Sequence, residues 1–244
     1  MSEFICGRNQ VLSALKSGRE INRVLIARGV EKNFSAKIVA LCKKRGIPYV
    51  MSEKVQLEKL VGSDHRGVVA QAAAIKYVEI SDILAAAQAK GEEALIVLLA
   101  GVEDPHNLGA IIRTACCAGA HGVVIPKRRA ALVTQTVEKV SAGAIEFLPV
   151  ARVSNLVQAV KELKEAGLWV VAADLDGEDY WEIDFSGPLV IVLGGEDKAI
   201  GPLLLKECDF TAKIPMSGEI SSLNVSAAAA ILIFEAMKKR MCAK

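Results

Sequence analysis

Apolar and polar positions divide the chain into two stretches with different patterns. In the first 78 residues, short apolar runs alternate with amphipathic segments, which predicts a small α/β unit. Its expected elements, in chain order, are helix 9–16, strand 21–27, helix 35–44, strand 47–50, helix 53–60 and strand 68–74. Residues 79–93 form an Ala-rich helical stretch that ends in a Lys-Gly-Glu-Glu turn, and we expect them to be a linker.

From residue 94 onward, apolar runs of strand length alternate regularly with helical periodicity. Strands are expected at 94–100, 122–126, 168–173, 189–193 and 211–214, and helices at 107–118, 133–140, 155–166, 202–207 and 225–240. Apolar strands that alternate with helices are typical of a parallel sheet covered on both faces. We therefore expect an α/β protein in which a small α/β unit (1–78) precedes a parallel-sheet domain (94–244).

Composition and cysteine usage narrow the class of protein. The chain is 52% hydrophobic and 24% charged, as in a well-packed soluble protein. No apolar run reaches the roughly 18 residues that span a bilayer, and the N-terminus has no signal-peptide pattern, so we expect a cytoplasmic protein that binds no membrane. The six cysteines are scattered, without a CxxC pair or a Cys/His cluster, so we expect buried thiols and no metal site.

The net charge of +2 conceals an asymmetry between the two stretches. Residues 1–78 contain 14 Lys and Arg against 6 Asp and Glu, a balance of +8, whereas the remainder contains 16 against 22, a balance of −6. A basic unit joined to a mildly acidic domain predicts that the first unit binds a polyanion. A solvated, Lys-rich surface without a partner is the alternative interpretation.

Three loops at the expected carboxyl ends of the strands carry unusual chemistry, and ligands of parallel sheets bind at those ends. Loop 101–109 leads into a helix that contains Arg113 among Ala, Ile and Cys residues, where an unpaired charge would be costly unless solvent reaches it. Loop 194–201 begins with two glycines, and loop 215–226 is rich in Gly, Ser and Asn. No GxGxxG follows the first of these strands, which disfavours a dehydrogenase, and no GxxxxGK[ST] indicates a phosphate-binding loop.

The motifs in these loops resemble those of the SpoU (TrmH-like) branch of the SPOUT superfamily, the S-adenosylmethionine-dependent RNA ribose 2′-O-methyltransferases. The family pattern N-x-G-x-x-x-R-T-A is matched by Asn107, Gly109, Arg113, Thr114 and Ala115. The pattern I-P-M-x-G-x-x-x-S-L-N-x-S is matched in full by residues 214–226. Between them, Glu196 matches the second motif, but Asp197 and Ala199 stand where relatives often have glycine.

The resemblance implies a fold, a cofactor and partners. The domain at 94–244 is expected to contain a deep trefoil knot, to bind S-adenosyl-L-methionine between its second and third loops, and to form a homodimer. Residues 7–11 and 65–68 resemble the ends of a ribosomal-protein-like substrate-binding domain in a subgroup that includes the RlmB-type 23S ribosomal RNA guanosine methyltransferases. The alternatives are a tRNA substrate, an antibiotic-resistance site on ribosomal RNA, and a non-catalytic RNA-binding factor in ribosome assembly.

The resemblance also implies which residues act. The implied cofactor contacts are Gly194, Gly195, Ile214, Met216, Leu223 and Asn224. The implied catalytic residues are Arg113, Asn107, Glu196, Ser222 and Asn224, and no metal is implied. In the family, the arginine that corresponds to Arg113 is assigned as the general base. Because arginine is essentially always protonated, the alternative is that Arg113 binds the adjacent RNA phosphate and polarises the ribose hydroxyl.

Overall fold

Two β-sheets organise the residues that the structure, a computed structural model, describes, namely 2–195 and 199–242. One unit extends up to Lys76 and also includes Val133–Phe147. The other unit includes Tyr77–Leu132 and the chain from Leu148 onward.

The first unit contains a mixed sheet of four described strands with helices between them. Its elements are β1 (Ser2–Cys6), α1 (Arg8–Ser17), β2 (Ile21–Ala27), α2 (Lys32–Arg45), β3 (Tyr49–Ser52), α3 (Lys54–Val61), a 3-10 turn (Ser63–His65) and β4 (Val68–Ala73). The strand order is β1-β4-β2-β3, with β4 antiparallel to β1 and β2, and β3 parallel to β2. Residues of β1, β2, β4, α1 and α2 pack in one core that includes Ile5, Leu15, Val24, Ile26 and Ile38, whereas Leu57 of α3 packs with Leu25 and Val69 in a second core.

The described part of the second unit contains a sheet of six strands, all parallel, in the order β10-β8-β9-β5-β6-β7. From Ile80 to the end of the described chain, the elements are α4 (Ile80–Ala89), β5 (Leu95–Ala100), α5 (Pro105–Cys117), β6 (Gly122–Pro126), α6 (Gln135–Val140), a 3-10 turn (Ala144–Glu146), β7 (Val150–Val153), α7 (Leu156–Glu165), β8 (Trp169–Asp179), a 3-10 turn (Tyr180–Glu182), β9 (Leu189–Gly194), α8 (Pro202–Glu207), β10 (Phe210–Lys213) and α9 (Val225–Cys242). The expected parallel α/β sheet is confirmed.

Both faces of this parallel sheet are buried, as its continuous apolar strands predict. On one face, Ile96 and Leu98 of β5 pack in a single core with residues of α4, α7 and α8. The alternate positions of β5, such as Val97, point to the opposite face and are fully buried as well. On that face α9 packs against β9 and α5.

The expected linker at 79–93 contains α4, which is an integral part of the second unit. Ile83 of this helix is fully buried and packs with Ile96 in the same core. Gly122 makes room for it, because a Cβ at Gly122 would lie only 2.4 Å from Ile83 Cδ1. The apolar face of α4 therefore draws residues 79–93 into the fold of the parallel-sheet unit.

The helix expected at 133–140 lies in the first unit rather than with the sequence neighbours that form the parallel sheet. Its Glu138 and the following Glu146 both bind Arg19, at 2.8 Å and 2.6 Å. The three side chains are at most 6% exposed. Because a buried charge is tolerated only when it is paired, this triad explains why the segment packs against the N-terminal unit.

Within the described chain, no helix offers an apolar stretch that could span a bilayer.

Candidate functional site

A cavity of about 370 Å³ opens at the carboxyl ends of β8, β9 and β10. Residues 173–175 of β8 and 193–195 at the end of β9 form two of its walls, and Ala212 and Ile214 belong to the β10 side. Met216, Ser222 and Leu223 of the following loop and the first turn of α9 complete it. The volume is that of a small-molecule site, and its position follows the rule for parallel sheets.

The glycine pair after β9 brings two backbone segments into direct contact. Gly194 pairs with Ala100 of β5, and a Cβ on the next residue, Gly195, would lie 2.2 Å from the carbonyl oxygen of Gly101. No side chain larger than hydrogen fits there, because the obstructing atoms are backbone and cannot rotate away. The cavity wall at Gly195 is therefore bare backbone that a ligand can approach closely.

A hydrogen bond connects the first loop to the third. The Nδ2 of Asn224 donates to the Oδ1 of Asn107 over 3.1 Å, and Asn107 is 8% exposed at the start of α5. The Oδ1 of Asn224 accepts from the backbone N–H of Ser226 at 2.9 Å and from its hydroxyl at 2.6 Å, which caps the start of α9. Two residues that the sequence motifs single out are thus neighbours next to the cavity.

Arg113 lies apart from this cluster in the single chain. It is exposed on α5, and six residues of helix separate it from Asn107, a rise of about 9 Å. It makes no ion pair or hydrogen bond with the residues that the structure describes, and it does not line the cavity. The guanidinium of Arg113 is therefore solvated, and its apolar neighbours in sequence do not bury its charge.

The structure brings together most of the expected cofactor residues. Gly194, Gly195, Ile214, Met216 and Leu223 all line the cavity, and Ser222, expected to be catalytic, lines it as well. Asn224 follows directly, bonded to Asn107 as described. Glu196 lies outside the described residues.

The cavity is also lined by three residues of β8 that the sequence motifs did not indicate, namely Ala173, Asp174 and Leu175. Asp174 is the one carboxylate among the described lining residues, and its Oδ1 accepts from the backbone N–H of Asp176 at 3.3 Å. No motif marks these positions. The signal that could have found them is positional, because they lie just beyond Ala172, the last residue of β8 that pairs with β9, at the edge of the sheet where ligands bind.

The cysteines and the other potential metal ligands do not converge on this site. The described residues contain no group of three or more His, Cys, Asp or Glu side chains placed to hold a metal ion. Burial raises the pKa of Cys208 to about 11, and it raises the pKa of Cys6 to the same value. Both thiols are therefore protonated and unreactive at neutral pH.

Family models match both parts of the chain. The model of the SpoU rRNA Methylase family matches residues 94–234. The model for RNA 2′-O ribose methyltransferase substrate binding matches residues 4–78. The resemblance inferred from the three motifs is thereby confirmed.

Relatives and solved structures agree with this match over almost the whole chain. The Bacillus subtilis (strain 168) protein YacO, named as a TrmH-family tRNA/rRNA methyltransferase, is 44% identical over 98% of this chain and 96% of its own. The SpoU methyltransferase AviRb of Streptomyces viridochromogenes, solved with AdoMet, superposes with a TM-score of 0.82 at 26% identity, covering 99% of this chain and 91% of its own. An AdoMet-bound rRNA methyltransferase of Sinorhizobium meliloti gives a TM-score of 0.80 at 27% identity over 97% and 87%.

Proposed function

We propose that this protein methylates the ribose 2′-hydroxyl of a guanosine in 23S ribosomal RNA. The chain belongs to the SpoU family of RNA methylases, and members of this family use S-adenosyl-L-methionine as the methyl donor. The observation that carries the proposal is the cavity at the carboxyl ends of β8, β9 and β10, together with the Asn107–Asn224 bond beside it. The match of residues 4–78 to a substrate-binding model and the net charge of +8 over residues 1–78 support an RNA substrate.

The residues of the cavity fit the proposed cofactor. Ile214, Met216 and Leu223 offer an apolar surface for an adenine ring, and the bare backbone at Gly194 and Gly195 offers hydrogen-bonding groups without side chains. S-adenosyl-L-methionine supplies a methyl group that its sulfonium has already activated.

The protein therefore has two tasks, alignment of the ribose oxygen with the methyl group and removal of the hydroxyl proton. The cavity residues would hold the cofactor, which would supply its methyl group to the 2′-oxygen, and solvent water would accept the hydroxyl proton. Arg113 binds the adjacent phosphate and polarises the hydroxyl, and the general-base role that the family assigns to this arginine is the alternative. Asn107, Ser222, Asn224 and Glu196 orient the ribose and the cofactor.

We further propose the family's trefoil knot and homodimer for this chain. The exposed position of Arg113, away from the cavity of its own chain, supports a site completed at a dimer surface. In such a dimer the arginine of one copy faces the cavity of the other. The apolar α9, whose Phe234 and Met241 are exposed, offers a face for this contact.

The reaction is tested with purified protein, deuterated-methyl S-adenosyl-L-methionine, and transcripts of 23S ribosomal RNA and of tRNA as separate substrates. We expect labelled 2′-O-methylguanosine in the 23S transcript, identified by mass spectrometry of its nucleosides, and no label when the target carries 2′-deoxyribose. Label in tRNA alone would reassign the substrate. Cofactor binding without label in either RNA would instead favour a non-catalytic assembly factor.

A further inference from the structure

A run of three cations follows β6 in a part of the chain that is otherwise acidic. Lys127, Arg128 and Arg129, here named the basic loop, are all exposed. Beyond residue 78 the chain has a net charge of −6, so the overall composition of this part gives no reason to expect a polyanion there. Three adjacent like charges also repel one another, which favours an anionic partner.

The side chains of the basic loop are uncompensated within the described part of the chain, where none makes an ion pair or a hydrogen bond. Other arginines of the same unit are used for structure. Arg240 donates to the carbonyls of Glu93 and Ala94 at 2.8 Å, and Arg152 stacks over the ring of Tyr77. The basic loop differs because its charges remain available to an external ligand.

The backbone of the basic loop is fixed although its side chains are not. The N–H of Lys127 donates to Val153 at 2.8 Å, and the N–H of Ala131 donates to Val102 at 2.8 Å. Between these anchors Arg129 has a φ of 55°, in the left-handed region that a non-glycine residue rarely adopts. Because such a conformation is costly and concentrates at functional sites, the loop has the character of a prearranged binding segment.

The location of the basic loop associates it with the proposed reaction. It follows the carboxyl end of β6, the same edge of the sheet at which the cavity opens. In the strand order only β5 separates β6 from β9, which places β6 about 10 Å from the Gly194 wall. The hydrogen bond that Ala131, two residues after the basic loop, donates to Val102 also connects this segment to the loop that precedes Asn107.

We propose that Lys127, Arg128 and Arg129 bind the phosphates of the RNA strand that flanks the target nucleotide. The inference rests on the proposed function and assigns to the catalytic unit an RNA contact of its own, beyond that of the basic N-terminal unit. Arginine and lysine bind phosphate oxygens without reading sequence, so the basic loop positions the strand rather than selecting the base.

The test compares R128Q/R129Q with K90Q/K206Q. Both double variants remove two exposed charges from the second unit, but Lys90 and Lys206 precede β5 and β10 and lie toward the opposite edge of the sheet. The probe is the 23S ribosomal RNA transcript. We expect R128Q/R129Q to raise the KM for RNA about tenfold with kcat changed less than twofold, and to reduce the slope of log K against log salt by about 1.5–2. K90Q/K206Q should match the wild type in all three quantities.

Affinity for S-adenosyl-L-methionine serves as the measure of folding and is expected to stay within twofold. If R128Q/R129Q loses that affinity, the charge-retaining R128K/R129K variant decides: a KM within threefold of the wild type supports the proposal, and a KM as high as that of R128Q/R129Q overturns it. A wild-type KM and salt slope in R128Q/R129Q also overturn it while leaving the proposed function intact. A wild-type protein that neither binds nor methylates the RNA refutes the proposed function itself.

Discussion

Replacement of Gly195 by alanine tests whether the bare backbone beside β5 shapes the cofactor cavity. The new Cβ would lie 2.2 Å from the carbonyl oxygen and 2.9 Å from the carbonyl carbon of Gly101. Ordinary contacts between such atoms are about 3.5 Å, so one segment must move by roughly 1 Å. Neither segment can move alone, because Ala100 and Gly194 are paired partners in the sheet.

The cost of this movement can be estimated in two ways. Overpacking of a tight site destabilises a protein by about 1–3 kcal/mol, which for a unit of this size lowers Tm by roughly 2–12 °C. A displacement of about 1 Å also takes a 2.9 Å hydrogen bond beyond its useful range, with a loss of about 1 kcal/mol per bond. We expect the affinity for S-adenosyl-L-methionine to fall about tenfold, which corresponds to about 1.4 kcal/mol.

Isothermal titration calorimetry with S-adenosyl-L-methionine and thermal unfolding measure both effects of Gly195→Ala. The matched control is Gly201→Ala, because Gly201 has an ordinary φ of −59° and no atom within 4 Å of its added Cβ. The control should bind the cofactor within twofold of the wild type. If Gly195→Ala changes the cofactor affinity and the Tm as little as Gly201→Ala does, the assignment of this wall to the cofactor is refuted.

Three further predictions concern Arg113, which we propose to be catalytic, and two buried sites with titratable or charged side chains. Arg113→Ala should abolish methylation while leaving S-adenosyl-L-methionine affinity within twofold, and an active variant would refute its role. Burial lowers the pKa of His121, whose Nδ1 accepts the Leu95 N–H at 3.0 Å. The unfolded chain therefore binds the proton more tightly, and stability should be lost as pH falls below about 6.5. Thermal unfolding between pH 8 and pH 5 should reveal this dependence, and His121→Asn should weaken it; an unchanged dependence would contradict the assignment. Arg19→Met leaves two buried carboxylates unpaired and should cost about 3–5 kcal/mol in urea unfolding. The exposed Arg23→Met should cost less than about 0.5 kcal/mol, and equal costs would show that the triad is not specifically stabilising.

Hydrophobic periodicity was sufficient to predict the parallel sheet, because each of its central strands is an unbroken apolar run. It missed β1 and β7, which are five and four residues long and pair at the edge of a sheet. A charged residue interrupts each of them, Glu3 in β1 and Arg152 in β7, so neither is a continuous apolar run. The end of β8 was misjudged for another reason: four of its six residues after Ala173 are acidic, yet the strand continues to Asp179 and pairs with β10.

The division into units depends on contacts that no local pattern encodes. Arg19 and Glu138 are separated by more than a hundred residues in sequence, and each reads as an ordinary surface charge until the fold brings them together. The alternation of apolar strands and helices therefore predicted that the helix at 133–140 lies with the parallel sheet. Similarly, the sequence of α4 predicts a helix but not its partner, and only the fold shows that Ile83 packs with Ile96 of β5.

The candidate site was predictable where residue chemistry is constrained and was missed where only position matters. The glycine pair and Asn224 are marked by their motifs, because a close backbone approach and a helix cap admit few residue types. Asp174 belongs to no sequence motif. Arg113 shows the opposite case, a residue found by its motif whose position in one chain does not explain its role.

The decisive measurement of the proposed activity is a map of 2′-O-methyl groups in ribosomal RNA and tRNA from cells with and without this protein. We predict one 2′-O-methylguanosine in 23S ribosomal RNA that disappears with the gene. It should return with the wild-type protein and stay absent with Arg113→Ala. Identical 2′-O-methyl maps in both cell types would contradict the assignment of this chain as an RNA ribose methyltransferase.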